Sequence, residues 1–275
     1  MKDIQFKLKP VLLLVDDNEE ILEILEEDLS GKYQVLTAND GEEAYDILTS
    51  EIVHLIVSDV MMPNMDGFEF CSKVKTNFEL SHIPFILLTA KDTLQSKIEG
   101  LKLGADAYIE KPFSTDYLYT QIENLISNRV KIKEYFAKSP SVHINTMAYS
   151  KDDENFLEKL NTLILEHLDA PGINIENLAA AFNMSRITFY RKIKSLSGMS
   201  PHQLVNVTRL KKAAEMMSKG NFRINEIAYT VGYGSQSQFG RNFQKQFNMK
   251  PTDYIKKIKT YQPDKIIDSL KNGCF

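Results

Sequence analysis

The sequence predicts an α/β domain, doubly wound around a five-stranded parallel sheet, followed by an all-α domain with two similar helical units. Short apolar runs alternate with helical patterns through the first half, which is typical of parallel sheets covered by helices on both faces. The second half shows helical periodicity and an internal repeat. At 275 residues, the chain also exceeds the usual size of one domain.

Five strands are predicted in the first half, each followed by a helix. The strands are near-continuous apolar runs, as expected where both faces of a sheet are buried. They are predicted at residues 11–15, 34–36, 54–58, 85–88 and 108–109. Apolar side chains at helical spacing predict helices at residues 19–29, 41–48, 67–74, 94–103 and 115–126, with Gly31 and Gly104 ending the first and the fourth.

The charge of the chain is unevenly distributed. Residues 1–150 hold 14 Lys and Arg against 25 Asp and Glu, a net charge of −11. Residues 151–275 hold 19 against 12, a net charge of +7. Two differently charged solvated surfaces would explain this asymmetry, and so would a metal or phosphoryl site joined to a nucleic-acid-binding half.

The cysteine content and the hydropathy pattern indicate the compartment. Cys71 and Cys274 lie far apart without the spacing of metal ligands, so we expect no disulfide framework and a reducing cytoplasm. No apolar run reaches the roughly 18 residues that a membrane span needs. Residues 1–10 carry no signal-peptide core. The sequence therefore predicts no membrane contact by this chain itself.

Polar residues follow four of the predicted strands at the points where they end. Asp16 and Asp17 follow the first strand, Asp59 the third and Thr89 the fourth, and Lys111 comes shortly after the fifth. Because ligands of open parallel sheets bind at the carboxyl ends of the strands, we expect these side chains to share one crevice. Adjacent carboxylates repel one another unless a cation lies between them, and Mg²⁺ prefers such oxygen ligands.

This set of residues is a candidate phosphoryl-transfer site. The carboxylate of Asp59 could attack a phosphoryl donor and become an acyl phosphate. Lys111 would balance the charge of the phosphoryl group, and the Thr89 hydroxyl would donate a hydrogen bond to it. Each residue alone also has an ordinary explanation, as a turn, cap or surface residue. Their occurrence at consecutive strand ends favours the site.

Four motifs in this half resemble the receiver domain of two-component response regulators. They are Leu13–Asp17, Ser58–Gly67, Leu88–Ala90 and Lys111–Phe113, and the resemblance covers about residues 8–130. It implies a flavodoxin-like sheet, with Asp59 as the phosphoacceptor. It also implies that the Lys111–Pro112 bond is cis.

The resemblance assigns further roles in the crevice. It implies that Mg²⁺ is held by Asp16, by Asp17 more directly, by Asp59 and by the backbone carbonyl of Met61. Thr89 and Tyr108 would form a switch pair, and Lys111 would contact the phosphoryl group. The alternative for Tyr108 is a half-buried surface aromatic residue. In this family the face that carries Tyr108 and the next helix commonly dimerises, so a homodimer is expected on activation.

The segment between the halves has few periodic apolar positions. We expect residues 128–137 to extend the preceding helix and residues 138–150, with Pro140, to be irregular. Residues 131–150 are therefore interpreted as a linker, which would act mainly by raising the effective concentration of the second domain.

The basic half contains two copies of one pattern. Residues 175–179 recur 49 positions later, and residues 185–201 recur 50 positions later. Each copy predicts a short helix, a tight turn and a second helix that begins after a serine, Ser185 or Ser235. This is the anatomy of a helix-turn-helix unit, whose second helix enters the major groove of DNA.

The second helices carry side chains suited to reading DNA. Arginine pairs well with guanine and glutamine with adenine, whereas contacts to phosphate position the protein without specifying sequence. Phe189, Ile193, Phe239 and Phe243 are assigned to the core of each unit. Lys192, Lys194 and Lys245 are interpreted either as phosphate contacts or as a solvated face. The outward-facing candidates are Arg186, Tyr190, Arg191 and Lys194 in the first unit, and Gln236, Ser237, Gln238 and Arg241 in the second.

The second copy, from Val231–Tyr233 through Phe239 to Pro251, resembles the DNA-binding domain of AraC-type transcription regulators. The resemblance covers about residues 152–258, within a domain assigned to residues 151–260. It implies a long helix at residues 201–219 joining the two units, and readers about 34 Å apart on the DNA. The base-reading positions it implies are Ile187, limited to apolar contact such as a thymine methyl group, Tyr190, Arg191, Gln236, Ser237, Gln238 and Arg241. Residues 261–275 are interpreted as a tail.

The sequence therefore predicts a phosphorylation-controlled regulator that binds double-stranded promoter DNA. A histidine kinase or a fused kinase domain would phosphorylate Asp59. The order of the domains also resembles the C-terminal end of hybrid two-component proteins, so the chain could be a portion of one. Two alternatives stay open: an enzyme that hydrolyses phosphate esters through an aspartyl phosphate, and a phosphate-independent regulator that dimerises through its receiver.

Overall fold

The chain divides into two compact units, Met1–Lys131 and Ile132–Phe275. The computed structural model describes residues 9–90, 100, 102–168, 173–220 and 222–260. The first unit is built on a parallel sheet and the second is all-α, so the predicted fold class is confirmed. Within the described ranges, no helix is long and apolar enough to cross a bilayer.

The sheet of the first unit has five strands: β1 (Val11–Val15), β2 (Gln34–Ala38), β3 (Leu55–Asp59), β4 (Phe85–Thr89) and β5 (Ala107–Glu110). All pair in parallel, in the order β2-β1-β3-β4-β5. Every residue of β3 and β4 is buried, as the continuous apolar runs predict. The chain turns to one side of β1 for β2 and to the other side for β3, and ligand crevices of open sheets lie at such switch points.

Polar side chains cap the first helices of this unit. Asn18, Asp40 and Asp66 each accept a hydrogen bond from a backbone amide of the first turn, as favoured N-cap residues do. The helix predicted at residues 94–103 lies largely outside the described residues. The helices are α1 (Glu19–Ser30), α2 (Gly41–Ser50), α3 (Gly67–Thr76) and α4 (Thr115–Lys138), the last including the predicted extension.

The second unit contains two copies of a helix-turn-helix motif. Among the described residues, α6 pairs with α7 in the first copy and α9 with α10 in the second, while α8 matches the predicted long helix in both bounds. The helices are α5 (Lys151–Glu166), α6 (Ile175–Ala181), α7 (Arg186–Ser197), α8 (Pro201–Lys219), α9 (Ile224–Thr230), α10 (Gln236–Phe247) and α11 (Pro251–Thr260).

The sequence repeat reappears as matching backbone conformations. The turn in each copy contains one left-handed residue, Asn183 with φ 56° or Gly232 with φ 81°, at the offset of 49 positions. Each second helix ends at another, Gly198 with φ 72° or Asn248 with φ 54°, at the offset of 50. Glycine and asparagine adopt this conformation at the lowest cost. The repeat is therefore structural, and its turns depend on these residue types.

The segment interpreted as a linker is packed within the second unit. Phe136, Ile144 and Met147 are at most 3% exposed, and Ile144–Met147 form a short 3-10 helix. Sequence reasoning could not show this, because three apolar residues spread around Pro140 produce neither a helical nor a strand period. We call residues 132–150 the connector.

Lys192 is not on a solvated face and does not face a phosphate position. Its side chain is fully buried, and its ammonium lies 2.5 Å from a carboxylate oxygen of Asp153, which is equally buried. Removing one partner of such a buried pair typically costs about 3–5 kcal/mol, because the other charge is left without compensation. This pair ties α7, the second helix of the first copy, to the first turn of α5.

We expect Gly67→Ala to destabilise the first unit by about 1–3 kcal/mol or more. A Cβ atom at this position would overlap the carbonyl oxygen of Asp59 and lie 2.9 Å from the Cα atom of Val60. The matched control is Gly31→Ala, where an added Cβ meets nothing within 4 Å and φ is −55°. This control should be neutral or slightly stabilising.

Urea unfolding of the full chain, read from amide exchange of peptides in the sheet, measures both effects. Equal free energies of unfolding for the two variants would show that Gly67 does not lie as close to the backbone of Asp59 as these distances indicate.

Candidate functional site

Three charged side chains meet at the carboxyl end of the sheet. Asp16 follows β1, Asp59 ends β3, and Lys111 follows β5. The Lys111 ammonium lies 2.7 Å from Oδ2 of Asp16 and 2.6 Å from Oδ1 of Asp59. The carboxylate side chains are 4% and 9% exposed, whereas Lys111 is 22% exposed. The structure thus brings together three of the five residues that the strand ends predicted, with the lysine between two buried carboxylates.

The backbone around Asp59 is arranged to support its carboxylate. The amide of Met61 donates a 2.7 Å hydrogen bond to Oδ2 of Asp59. The amide of Val60 donates to the carbonyl of Leu88, and the amide of Gly67 donates to the carbonyl of Val60. These bonds join the loop after β3 to β4 and to the start of α3. One carboxylate oxygen of Asp59 therefore faces Lys111, and the other faces a backbone donor.

Burial and ion pairing act in opposite directions on these groups. Burial raises the pKa of Asp59, and the hydrogen bond and positive charge of Lys111 offset this only in part. Burial acts to lower the pKa of Lys111, but hydrogen bonds to Asp16 and Asp59 outweigh it, so the pKa of Lys111 is raised. The lysine is therefore a firmly held cation, and Asp59 is a carboxylate that its surroundings have partly desolvated.

Thr89 lies on β4, the strand beside Asp59, and Tyr108 lies one strand further on, on β5. Thr89 is fully buried at the end of β4, and its carbonyl accepts a 2.7 Å hydrogen bond from the amide of Lys111. Tyr108 on β5 pairs in register with Leu87 and packs against one of the two apolar layers of the unit. Tyr108 is half-buried, which agrees both with a role in a switch pair and with an ordinary surface aromatic residue. The Lys111–Pro112 bond between β5 and α4 is cis.

The donor atoms expected to hold a metal are only partly assembled. Asp17 is exposed beside the buried Asp16, whose Oδ1 accepts the amide of Asn18 at 3.0 Å. Among the residues that the structure describes, no three His, Cys, Asp or Glu side chains are close enough to form a metal-binding group. Carboxylate and carbonyl oxygens still suit a hard divalent ion. The chemistry of the donors fits Mg²⁺, and the single positive charge of Lys111 lies between two of the carboxylates.

The predicted DNA-reading side chains are all exposed on the second helices. Ile187 is 66% exposed and Tyr190 46% exposed, unusually high values for large apolar side chains. The assigned core residues are instead buried beneath them: Phe189, Ile193, Phe239 and Phe243. The exposed residues are Arg186, Ile187, Tyr190, Arg191 and Lys194 on α7, and Gln236, Ser237, Gln238 and Arg241 on α10.

Two of the basic candidates are engaged with the protein itself. Arg186 forms a 2.9 Å ion pair with Glu176 on α6, with both side chains more than half exposed. Exposed pairs contribute about 0–1 kcal/mol, so DNA phosphate can compete for this arginine. Lys194 donates a 2.9 Å hydrogen bond to the carbonyl of Gly198 at the end of α7. These contacts orient the two side chains when no DNA is bound.

The helix starts also match the prediction for both copies. The hydroxyl of Ser185 accepts a hydrogen bond from the amide of Thr188, and that of Ser235 accepts one from Gln238. Each serine thus satisfies one of the free amides of the first turn and fixes where the helix begins. The candidate side chains on α7 and α10 therefore belong to helices whose first turns are fixed by a serine cap.

Sequence reasoning missed the pair Lys192–Asp153, although a signal for it exists. Phe189, Ile193 and Leu196 form a buried stripe on α7, and Lys192 falls on that same stripe at helical spacing. A lysine on an apolar stripe indicates a buried partner. No pattern in the sequence identifies the partner, because it lies 39 positions away on another helix.

Comparison with known proteins assigns both units. A model of the response regulator receiver domain matches residues 12–123, and a model of a helix-turn-helix domain matches residues 178–257. Together they cover the crevice and both helix-turn-helix copies, apart from the first three residues of α6.

Curated relatives match this chain over different lengths. "Histidine kinase P4" of Formosa agariphila is 33% identical over 248 residues, which are 90% of this chain and 18% of that protein. "Probable transcriptional regulator ycf27" of Cyanidium caldarium is 33% identical over 217 residues, 75% of this chain and 83% of that protein. Among solved structures, the Francisella response regulator 1452 receiver domain is 32% identical, with a TM-score of 0.41, covering 44% of this chain and 99% of that one.

We expect Asp59→Asn to raise the free energy of unfolding of the first unit near pH 7. The raised pKa means that the folded state disfavours the ionised carboxylate relative to the unfolded chain, and asparagine removes this cost. The gain should shrink as pH falls through the pKa of the folded state. It should vanish below the unfolded value of about 3.9, where both states are protonated.

Urea unfolding at several pH values, read from sheet peptides, measures the difference. Asp46→Asn, at an exposed position on α2, is the control and should show no such dependence. An Asp59→Asn variant that is less stable than the parent at neutral pH would contradict this reasoning.

Proposed function

This chain belongs to the two-component response regulators with an AraC-type helix-turn-helix domain, and from this premise we propose that phosphorylation of Asp59 controls its binding to promoter DNA. The family assignment makes it a DNA-binding transcription regulator. The main support for control of DNA binding by phosphorylation is the Asp16–Lys111–Asp59 cluster at the carboxyl end of the sheet. The phosphoryl donor is a histidine kinase, on a separate chain or fused to this one.

The crevice is suited to accept a phosphoryl group on Asp59. An oxygen of the Asp59 carboxylate attacks phosphorus, and the bond from phosphorus to the donor breaks as the acyl phosphate forms. Lys111, already within hydrogen-bond distance of Asp59, neutralises part of the added charge of about −2. When bound by Asp16, Asp17, Asp59 and the carbonyl of Met61, Mg²⁺ would supply further charge neutralisation at the same oxygens.

The change in charge would be reported by Thr89 and Tyr108. The Thr89 hydroxyl donates a hydrogen bond to the phosphoryl group, and the half-buried ring of Tyr108 turns into the space that Thr89 leaves. A differential interaction of a few kcal/mol with the two states is enough to shift their populations substantially. The proposed outcome is homodimerisation of the first unit and tighter binding of two DNA-binding units.

The second unit would read the promoter through α7 and α10. Arg191 and Arg241 carry the guanidinium groups that pair with guanine, and Gln236 and Gln238 carry amides that pair with adenine. Ile187 and Tyr190 offer exposed apolar surface for contact with thymine methyl groups. Two copies in one chain give two neighbouring major-groove contacts for each protomer.

We expect Asp59→Asn to abolish phosphoryl uptake, because asparagine lacks the carboxylate that acts as the nucleophile. Incubation of the full chain with acetyl phosphate and Mg²⁺, followed by intact-mass measurement, tests this. Asp46→Asn, which removes an exposed carboxylate, should label like the parent. A phosphoryl adduct on the Asp59→Asn variant would assign the acceptor elsewhere.

We expect Arg241→Ala to weaken binding to a fragment obtained by in vitro selection by about 1–3 kcal/mol, and to relax base preference at one position. Lys256→Ala removes the same charge from an exposed position on α11 and is the matched control. Titrations at fixed salt with selected and unrelated DNA separate the two effects. Equal losses of affinity for the selected and the unrelated DNA would show that Arg241 contacts phosphate and does not read a base.

A further inference from the structure

The C-terminal end of α4 is capped by side chains from two other helices of the second unit. A helix leaves its last carbonyls without intrahelical donors, and their partial negative charge favours a cation. Here Ala137 near the end of α4 and Ser139 just beyond it present such carbonyls. Lys211 on α8 and Gln246 on α10 donate to them from 72 and 109 positions away in the chain.

Lys211 is the central group of this cap. Its ammonium donates to the carbonyl of Ser139 at 2.5 Å and to that of Val142 at 2.9 Å. It also lies 4.2 Å from the centre of the buried Phe136 ring, within the range of a cation–π interaction. Burial lowers its pKa to about 7, so holding a charge at this position is costly. Oriented carbonyls and an aromatic face are what offset that cost.

Gln246 connects the cap to the proposed DNA-reading helix. Its side-chain amide donates a 2.8 Å hydrogen bond to the carbonyl of Ala137. Gln246 lies in the last turn of α10, and the DNA candidates Gln236 to Arg241 occupy the first half of the same helix. A displacement of the end of α4 therefore acts directly on α10.

The far end of the connector is held near the other reading helix. The amide of Tyr149 donates to Oδ2 of Asp153 at 3.3 Å, and Oδ1 of Asp153 pairs with Lys192 on α7. Between the two ends, Ile144 and Met147 are buried. The connector is thus fixed at one end to the helix that bears Arg241 and at the other to the helix that bears Arg191.

We propose that Lys211 and Gln246 are positioning residues that make the connector a coupling element between α4 and the two DNA-reading helices. The proposal rests on the proposed function for what is coupled, namely phosphorylation and DNA affinity. In this arrangement the connector is held by side chains of the second unit. A flexible linker would make no such contacts. Loss of the cap uncouples α10 from α4 without removing any side chain that faces DNA.

The test compares two pairs of variants of the full chain. Lys211→Met removes the ammonium and keeps an apolar chain of similar length; Lys212→Met changes the neighbouring residue, whose partner is Glu215 at the surface. Gln246→Met removes the second donor more mildly, and Gln244→Met is its exposed control on α10. Affinity for the selected DNA is measured with and without acetyl phosphate and Mg²⁺, together with phosphoryl uptake and amide exchange of residues 132–150.

We expect normal phosphoryl uptake in all four variants. In Lys211→Met and Gln246→Met, exchange in the connector should rise at least tenfold, and the ratio of DNA affinities with and without phosphorylation should fall to within twofold of one. Both controls should keep the ratio of the parent. If Lys211→Met fails to fold, Gln246→Met carries the same comparison.

Two results would overturn the proposal: an unchanged affinity ratio in Lys211→Met or Gln246→Met, or unchanged connector exchange. A parent whose DNA affinity ignores phosphorylation would overturn the proposed function instead. In that case the exchange of the connector and of α10 still decides whether the cap positions the reading helix.

Discussion

The Lys111 ammonium between two buried carboxylates is the interaction on which the crevice depends. Asp16 and Asp59 project from adjacent strands into a space that water barely reaches, where two unpaired negative charges would be strongly disfavoured. The Lys111 ammonium lies between them and offsets part of this charge. The strand order places Asp16 and Asp59 at the switch point of the sheet, and Lys111 reaches them from the end of β5. Gly67 lets α3 close against the backbone of Asp59. The proposed transfer of a phosphoryl group to Asp59 would find this cation already in place.

In the second unit the candidate functional side chains are exposed on α7 and α10, whereas Asp16 and Asp59 of the crevice are buried. Buried phenylalanines under α7 and α10 fix the two helices, serine caps set where they begin, and left-handed Asn or Gly residues set where they turn and end. The positive charge of this half is also not all directed outward. Lys192 and Lys211 are turned inward, where they hold a carboxylate and two carbonyls of the segment that precedes the helix-turn-helix copies.

The connector shows how an irregular segment gains structure from its surroundings. Beyond the end of α4 its own sequence offers no period, and two buried apolar residues in one 3-10 turn are the regular features there. Its order comes from donors on α8 and α10, which are far away along the chain, and from acceptors on α5. Asn145, for example, donates to Glu158 on α5 at 2.7 Å. Removing these donors would leave backbone carbonyls to be satisfied by water, with little else to hold the segment.

The sequence by itself determined the fold class, the five strands to within two residues, the helix caps and the two-fold repeat. These follow from local rules: apolar runs form buried strands, Ser185 and Ser235 cap helices, and Asn183 and Gly232 tolerate a left-handed turn. It also predicted which residues meet in the crevice, because parallel strands bring their ends to one edge. Only the tertiary structure decided the burial of Lys192 with Asp153, the packing of the connector, and the cap that Lys211 provides. The first and the last of these join groups 39 to 72 positions apart through a single charge or carbonyl, and such a contact leaves no period in the sequence.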